Sequence, residues 1–107
     1  MALPEAALET IRHWCRTSRP EQLRDCLCLE LKTTNIHATI FKVSPGPAGE
    51  PVRRPVARLR YVKYARMWTL YWPDQRGRFH EHRHAPTPDV RTLLDYLASC
   101  ADPIFCG

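Results

Sequence analysis

Between Pro4 and Thr17 the apolar positions Ala7, Leu8, Ile11, Trp14 and Cys15 recur at spacings of three and four, while Glu5, Glu9, Arg12 and Arg16 fall largely elsewhere. That period is one buried stripe of a helix. Proline in the first turn, acids near the start and arginine near the end all suit the helix dipole. Ser18-Arg19-Pro20 is expected to end the helix. From Cys26 to Thr34 the period drops to two, with Leu27, Leu29 and Leu31 alternating against Cys28, Glu30 and Lys32, which predicts a half-buried strand. After a Thr34-Asn35 turn, Ile36 to Val43 predicts a second strand, with Ile36, Ala38 and Ile40 on one face and His37, Thr39 and Phe41 on the other. The two should pair as a hairpin. Residues 44–55, SPGPAGEPVRRP, hold four prolines and two glycines and predict a loop.

Three more strands are predicted over Val56 to Tyr64, Met67 to Trp72 and Arg78 to Arg83, the last two joined by a turn from Pro73 to Gly77. Ala57, Leu59 and Tyr61, then Trp68, Leu70 and Trp72, then Phe79 define the expected core face. Arg58, Arg60 and Val62, then Thr69 and Tyr71, then Arg78, His80, His82 and His84 are expected on the opposite, wet face. Thr87-Pro88-Asp89 reads as a helix start with Thr87 as cap. Val90, Leu93, Leu94 and Leu97 form its apolar stripe, and Asp102-Pro103 is its expected stop. Ile104-Phe105 is expected to fold back onto the core. The sum is an α+β chain: an N-terminal helix, a mostly antiparallel sheet of about five strands in a meander, and a C-terminal helix. Both helices should cover one sheet face in a two-layer arrangement.

Length and charge sharpen this picture. The 107 residues suit one domain, 1–107, with one core. No stretch reaches the roughly 20 apolar residues of a membrane span, and Glu5 and Glu9 stand where a signal peptide would carry positive charge. Cys15, Cys26, Cys28, Cys100 and Cys106 form no regular framework, which fits free thiols in a reducing cytoplasm. The net charge of +5 is uneven: Arg53 to Arg83 carries nine basic residues against Asp74 and Glu81, or +7, and the remainder carries 7 against 9, or −2. Such asymmetry suits an acidic partner.

The block VARLRYVKYARMWTLYWPDQRGRFHEH, with the terminal DPIFCG, resembles the bacterial family known as domain of unknown function 3024. The resemblance rests on Ala57, Arg58, Leu59, Arg60 and Tyr61; on Trp68, Leu70, Tyr71 and Trp72; on Asp74, Phe79 and His80; and on Asp102, Pro103, Phe105 and Gly107. It is strongest over the second half of the chain. Two positions depart from the pattern: His82 stands where an aromatic is usual, and Cys106 where a tryptophan is usual. The run of three alternating histidines is therefore particular to this chain. The resemblance implies no activity.

His80, His82 and His84 pose the question of a metal. Alternate strand residues lie about 6.6 Å apart, so two could chelate one ion. A third ligand is harder to supply, because Cys26 and Cys28 lie roughly 19 Å away across a simple meander. No metal site, cofactor or catalytic residue is expected: no glycine-rich phosphate loop, carboxylate pair or local nucleophile signature is present. A binding face is better motivated. Arg58, Arg60, Tyr71, Arg78, His80 and His82 would combine phosphate-pairing cations with a ring on which a base could stack. Solvated strand formers would show the same residue types. The expected partner is nucleic acid or an acidic protein, and the alternative is a protein–protein or self-association module, such as a homodimer.

Overall fold

In the computed structural model, residues 3–17, 28–82 and 86–99 are described. Helix α1 spans Glu5–Thr17 and buries Leu8, Ile11, Trp14 and Cys15. On its wet side Arg12 bridges Glu5 at 3.2 Å and Glu9 at 2.7 Å. Five strands follow: β1 Cys28–Thr33, β2 His37–Pro45, β3 Pro51–Val62, β4 Met67–Pro73 and β5 Phe79–Glu81, before helix α2, Val90–Ser99. The sheet order is β1-β2-β3-β4-β5, antiparallel throughout. The expected α+β meander flanked by two helices is what the chain forms.

The core lies between the helices and one sheet face. Leu8, Ile11 and Trp14 of α1 and Val90, Leu93, Leu94 and Leu97 of α2 pack with Leu29, Ala38, Ile40, Ala57, Leu59, Trp68 and Leu70. Directly opposed pairs share a face, so Leu31↔Ile40 and Leu59↔Leu70 fix which side that is. Ile36, expected beside Ala38, is instead exposed next to the turn where the Thr34 hydroxyl accepts the His37 N–H.

Three further expectations change. The proline-rich segment is not a long loop. β2 runs to Pro45 and β3 begins at Pro51. The turn between them is closed by Gly46 N–H to Glu50 C=O at 2.6 Å, with Gly49 at φ 86°. The prolines are tolerated because the β3–β4 ladder begins only at Arg58, and Pro55 sits at a bulge between the Ile40↔Ala57 and Phe41↔Pro55 pairs. At α2 the cap is Asp89 rather than Thr87: its Oδ1 accepts the Arg91 N–H at 3.0 Å. Thr87 instead forms a bridge with Trp68, N–H to C=O in both directions at 2.7 and 3.1 Å.

The third change concerns β5, which has three residues, fewer than expected, and faces the other way. Tyr71 opposes Glu81, Trp72 opposes His80 and Pro73 opposes Phe79. His80 therefore lies on the helix side with Trp72, and Phe79 on the helix-free side with Tyr71. Ser18-Arg19-Pro20, Cys26, Leu27, Arg83, His84 and the Asp102 to Phe105 tail lie outside the described residues.

Candidate functional site

The sheet face away from the helices is ordered in cross-strand rows. Lys32, Thr39, Arg58, Tyr71 and Glu81 oppose one another in turn across all five strands, and His37, Arg60 and Thr69 make the next row. Among the described residues no helix packs on this face. Arg58 is held twice: its Nε donates to the Thr39 hydroxyl at 2.9 Å, and its guanidinium lies 3.9 Å from the centre of the Phe79 ring. Phe79 on this side thus has a partner, a cation over its face. Arg60 donates to Tyr71 Oη at 3.4 Å, and that hydroxyl donates to Glu81 Oε1 at 3.3 Å. Further along, Arg53 pairs with Glu30 at 2.9 Å and Lys32 lies over Phe41.

The electrostatics follow from these contacts. Arg12 and Arg53 each meet a carboxylate directly, whereas Arg58 and Arg60 are positioned by a hydroxyl, a ring and a phenol. Among the described residues no carboxylate touches either guanidinium. His37 registers their charge: burial first, then Arg58 and Arg60, hold its imidazole below the ordinary 6.5.

Of the six residues expected on one face, the fold brings together Arg58, Arg60 and Tyr71. His80 and His82 belong to the other face, a correction that follows from the β5 register. His80 stacks on Trp72, ring centres 4.7 Å apart, and its Nε2 lies 2.8 Å from Asp74 Oδ2. The other Asp74 oxygen accepts the backbone N–H groups of Arg76 and Arg78. His80 and these two amides hold the Asp74 carboxyl below its ordinary range. His82 is buried, its ring beside Tyr96 of α2. Arg78 ends the β4–β5 turn, exposed, with its backbone clamped by Asp74. Cys28 and His80 sit on opposite edge strands, and among the described residues no three His, Cys, Asp or Glu side chains gather around a common point.

Sequence reasoning missed His37, which the register sets beside Arg60, and the β3–β4 turn. The predicted third strand runs through Tyr64, but this residue stands at that turn, 95 % exposed, between Lys63 and Arg66. The available signal was the break in alternation between Val62 and Met67.

Fold and face together define a small α+β protein with helices on one side of a meander and a cation-bearing sheet on the other. The chain belongs to the family described as Domain of unknown function (DUF3024), whose model matches residues 2–107, and so both halves of the chain. No curated protein and no solved structure matches it. No helix among the described residues is long and apolar enough to cross a membrane.

Proposed function

We propose that the protein is a non-catalytic binding module that takes a polyanion, nucleic acid, on the helix-free sheet face, and that it works in the cytoplasm. The observation that carries this reading is the way Arg58 and Arg60 are held. A hydroxyl and a ring hold Arg58 and a phenol lies beside Arg60, so Arg58 is ordered in advance and, among the described residues, neither guanidinium is neutralised by a touching carboxylate. Pre-ordering lowers the entropic cost of engaging phosphate, and the planar donor fork suits its oxygens. Lys32 adds charge to the same face, while Glu81 and Glu30 limit its total. The free thiols Cys15 and Cys28 are consistent with a reducing compartment.

The test is fluorescence anisotropy of the untagged, chelator-treated protein with single- and double-stranded oligonucleotides over a salt series, beside Arg58→Ala/Arg60→Ala. Expected is binding that weakens steeply with salt. The double variant should bind more weakly, and on a single strand its log–log slope should fall by about 0.7 for each phosphate it no longer neutralises. Absence of binding at low salt, with a dimer in sedimentation, would end this reading in favour of self-association.

A further inference from the structure

The four tyrosines are not equivalent. Tyr61 packs on Trp68 at 5.0 Å between ring centres, Tyr71 is hydrogen-bonded between Arg60 and Glu81, and Tyr96 lies against His82. Tyr64 differs from all of them. It is 95 % exposed, and among the described residues no ring contact or hydrogen bond holds its side chain. The fold leaves this large side chain in solvent at the tip of its β3–β4 hairpin.

The tip is nonetheless built. Ala65 N–H donates to Val62 C=O at 3.2 Å and Arg66 N–H to Lys63 C=O at 3.1 Å, with Arg66 in the left-handed region at φ 53°. Val62 opposes Met67 to close it. Tyr64 is thus presented by a hydrogen-bonded turn. Lys63 and Arg66 on either side of it in the chain make no ion pair or side-chain hydrogen bond among the described residues. An exposed ring flanked in the chain by Lys63 and Arg66 meets both needs of an unpaired nucleotide: a surface for the base and charge for the phosphates on each side. Tyr71 serves this purpose less well, because it is half-buried and its hydroxyl is already engaged.

From this arrangement we infer that Tyr64 is the base-stacking residue of the interface, and that the ligand is single-stranded nucleic acid crossing from the Arg58/Arg60 face over the hairpin tip. This rests on the nucleic-acid reading above. A duplex is a poor fit, since its bases stack on one another and offer the tyrosine no free base face.

The test compares the untagged full chain with Tyr64→Ala and Tyr64→Phe by anisotropy on a short oligothymidylate, an abasic oligomer of equal phosphate number, and a duplex. Wild type should prefer the thymidylate over the abasic oligomer by about five-fold or more. Tyr64→Phe should keep that preference, and Tyr64→Ala should bind both oligomers alike with an unchanged salt slope. If Tyr64→Ala keeps the wild-type preference, or wild type shows none, the stacking role is wrong, while salt-dependent binding that disappears in Arg58→Ala/Arg60→Ala would leave the basic face standing. If wild type binds no oligomer at low salt, both readings fall. Tyr64-dependent binding to anionic phospholipid vesicles in that case would assign the tip to a membrane surface instead.

Discussion

Leu59 and Leu70 oppose each other across β3 and β4, and neither has any surface left to water. Truncating such a residue removes its transfer free energy and leaves a void that neighbours fill only in part. Leu70→Ala should therefore lower stability by about 2–5 kcal/mol, read as a shifted urea midpoint. The cysteines separate by the same criterion of burial. Burial pushes the Cys15 thiol up to about 11, only partly offset by Arg16, whereas Cys28 is exposed on the edge strand. The thiolate is the reactive species. Peptide-resolved alkylation at neutral pH should consequently label Cys28 well before Cys15, and equal rates would contradict the packing of Trp14 and Cys15 under the sheet.

At the scale of elements, the β4–β5 hairpin depends on Asp74. Its carboxylate receives His80 and two turn amides, and its folded value is depressed. The contribution is present in full above the ordinary 3.8 and is lost as pH falls through the lowered folded value. Hydrogen exchange at His82, whose N–H donates to Leu70 C=O, should lose protection in that acid range. Asp74→Ala should lose it already at neutral pH with the β1–β3 amides unchanged. The same hairpin marks where the sequence stops being legible. Through the middle of β1 to β4 the inward positions carry Leu29, Leu31, Ala38, Ile40, Ala57, Leu59, Trp68 and Leu70, and Glu30, Lys32, Thr39, Arg58, Arg60 and Thr69 face outward, so alternation names the faces there. In Phe79-His80-Glu81 neither parity is purely apolar. The five turn residues from Asp74 to Arg78 set the register, and a slip of one residue exchanges the faces. Phe79 then finds Arg58, and His80 finds Trp72 and Asp74. Arg58, Arg60 and Tyr71 were legible as neighbours because β3 and β4 alternate cleanly. The extension of β2 and β3 through prolines was hidden because it depends on where β4 stops, a property of the sheet and not of the segment.

For the molecule as a whole, the meander gives two unlike faces, and one histidine reports on the outer one. His37 is held below 6.5 by burial and by Arg58 and Arg60. In the free protein its neutral form is favoured, so the stability this provides is complete above 6.5 and is lost as pH falls from there through the lowered folded value. Phosphates seated over the two arginines would offset their charge and make protonation of His37 easier. By linkage the complex then takes up a proton on forming, and affinity rises as pH falls through the range between the bound and free values of His37. The expected result is tighter oligonucleotide binding on the acid side, together with an upward shift of the His37 ring-proton titration in NMR when oligonucleotide is added. The chain carries other histidines, so His37→Gln is the deciding control. It should bind comparably at alkaline pH and lose most of the acid enhancement. A His37→Gln protein with the full pH dependence would place the bound phosphates away from the Arg58 and Arg60 rows, because charge neutralised there cannot leave the histidine opposite Arg60 unaffected.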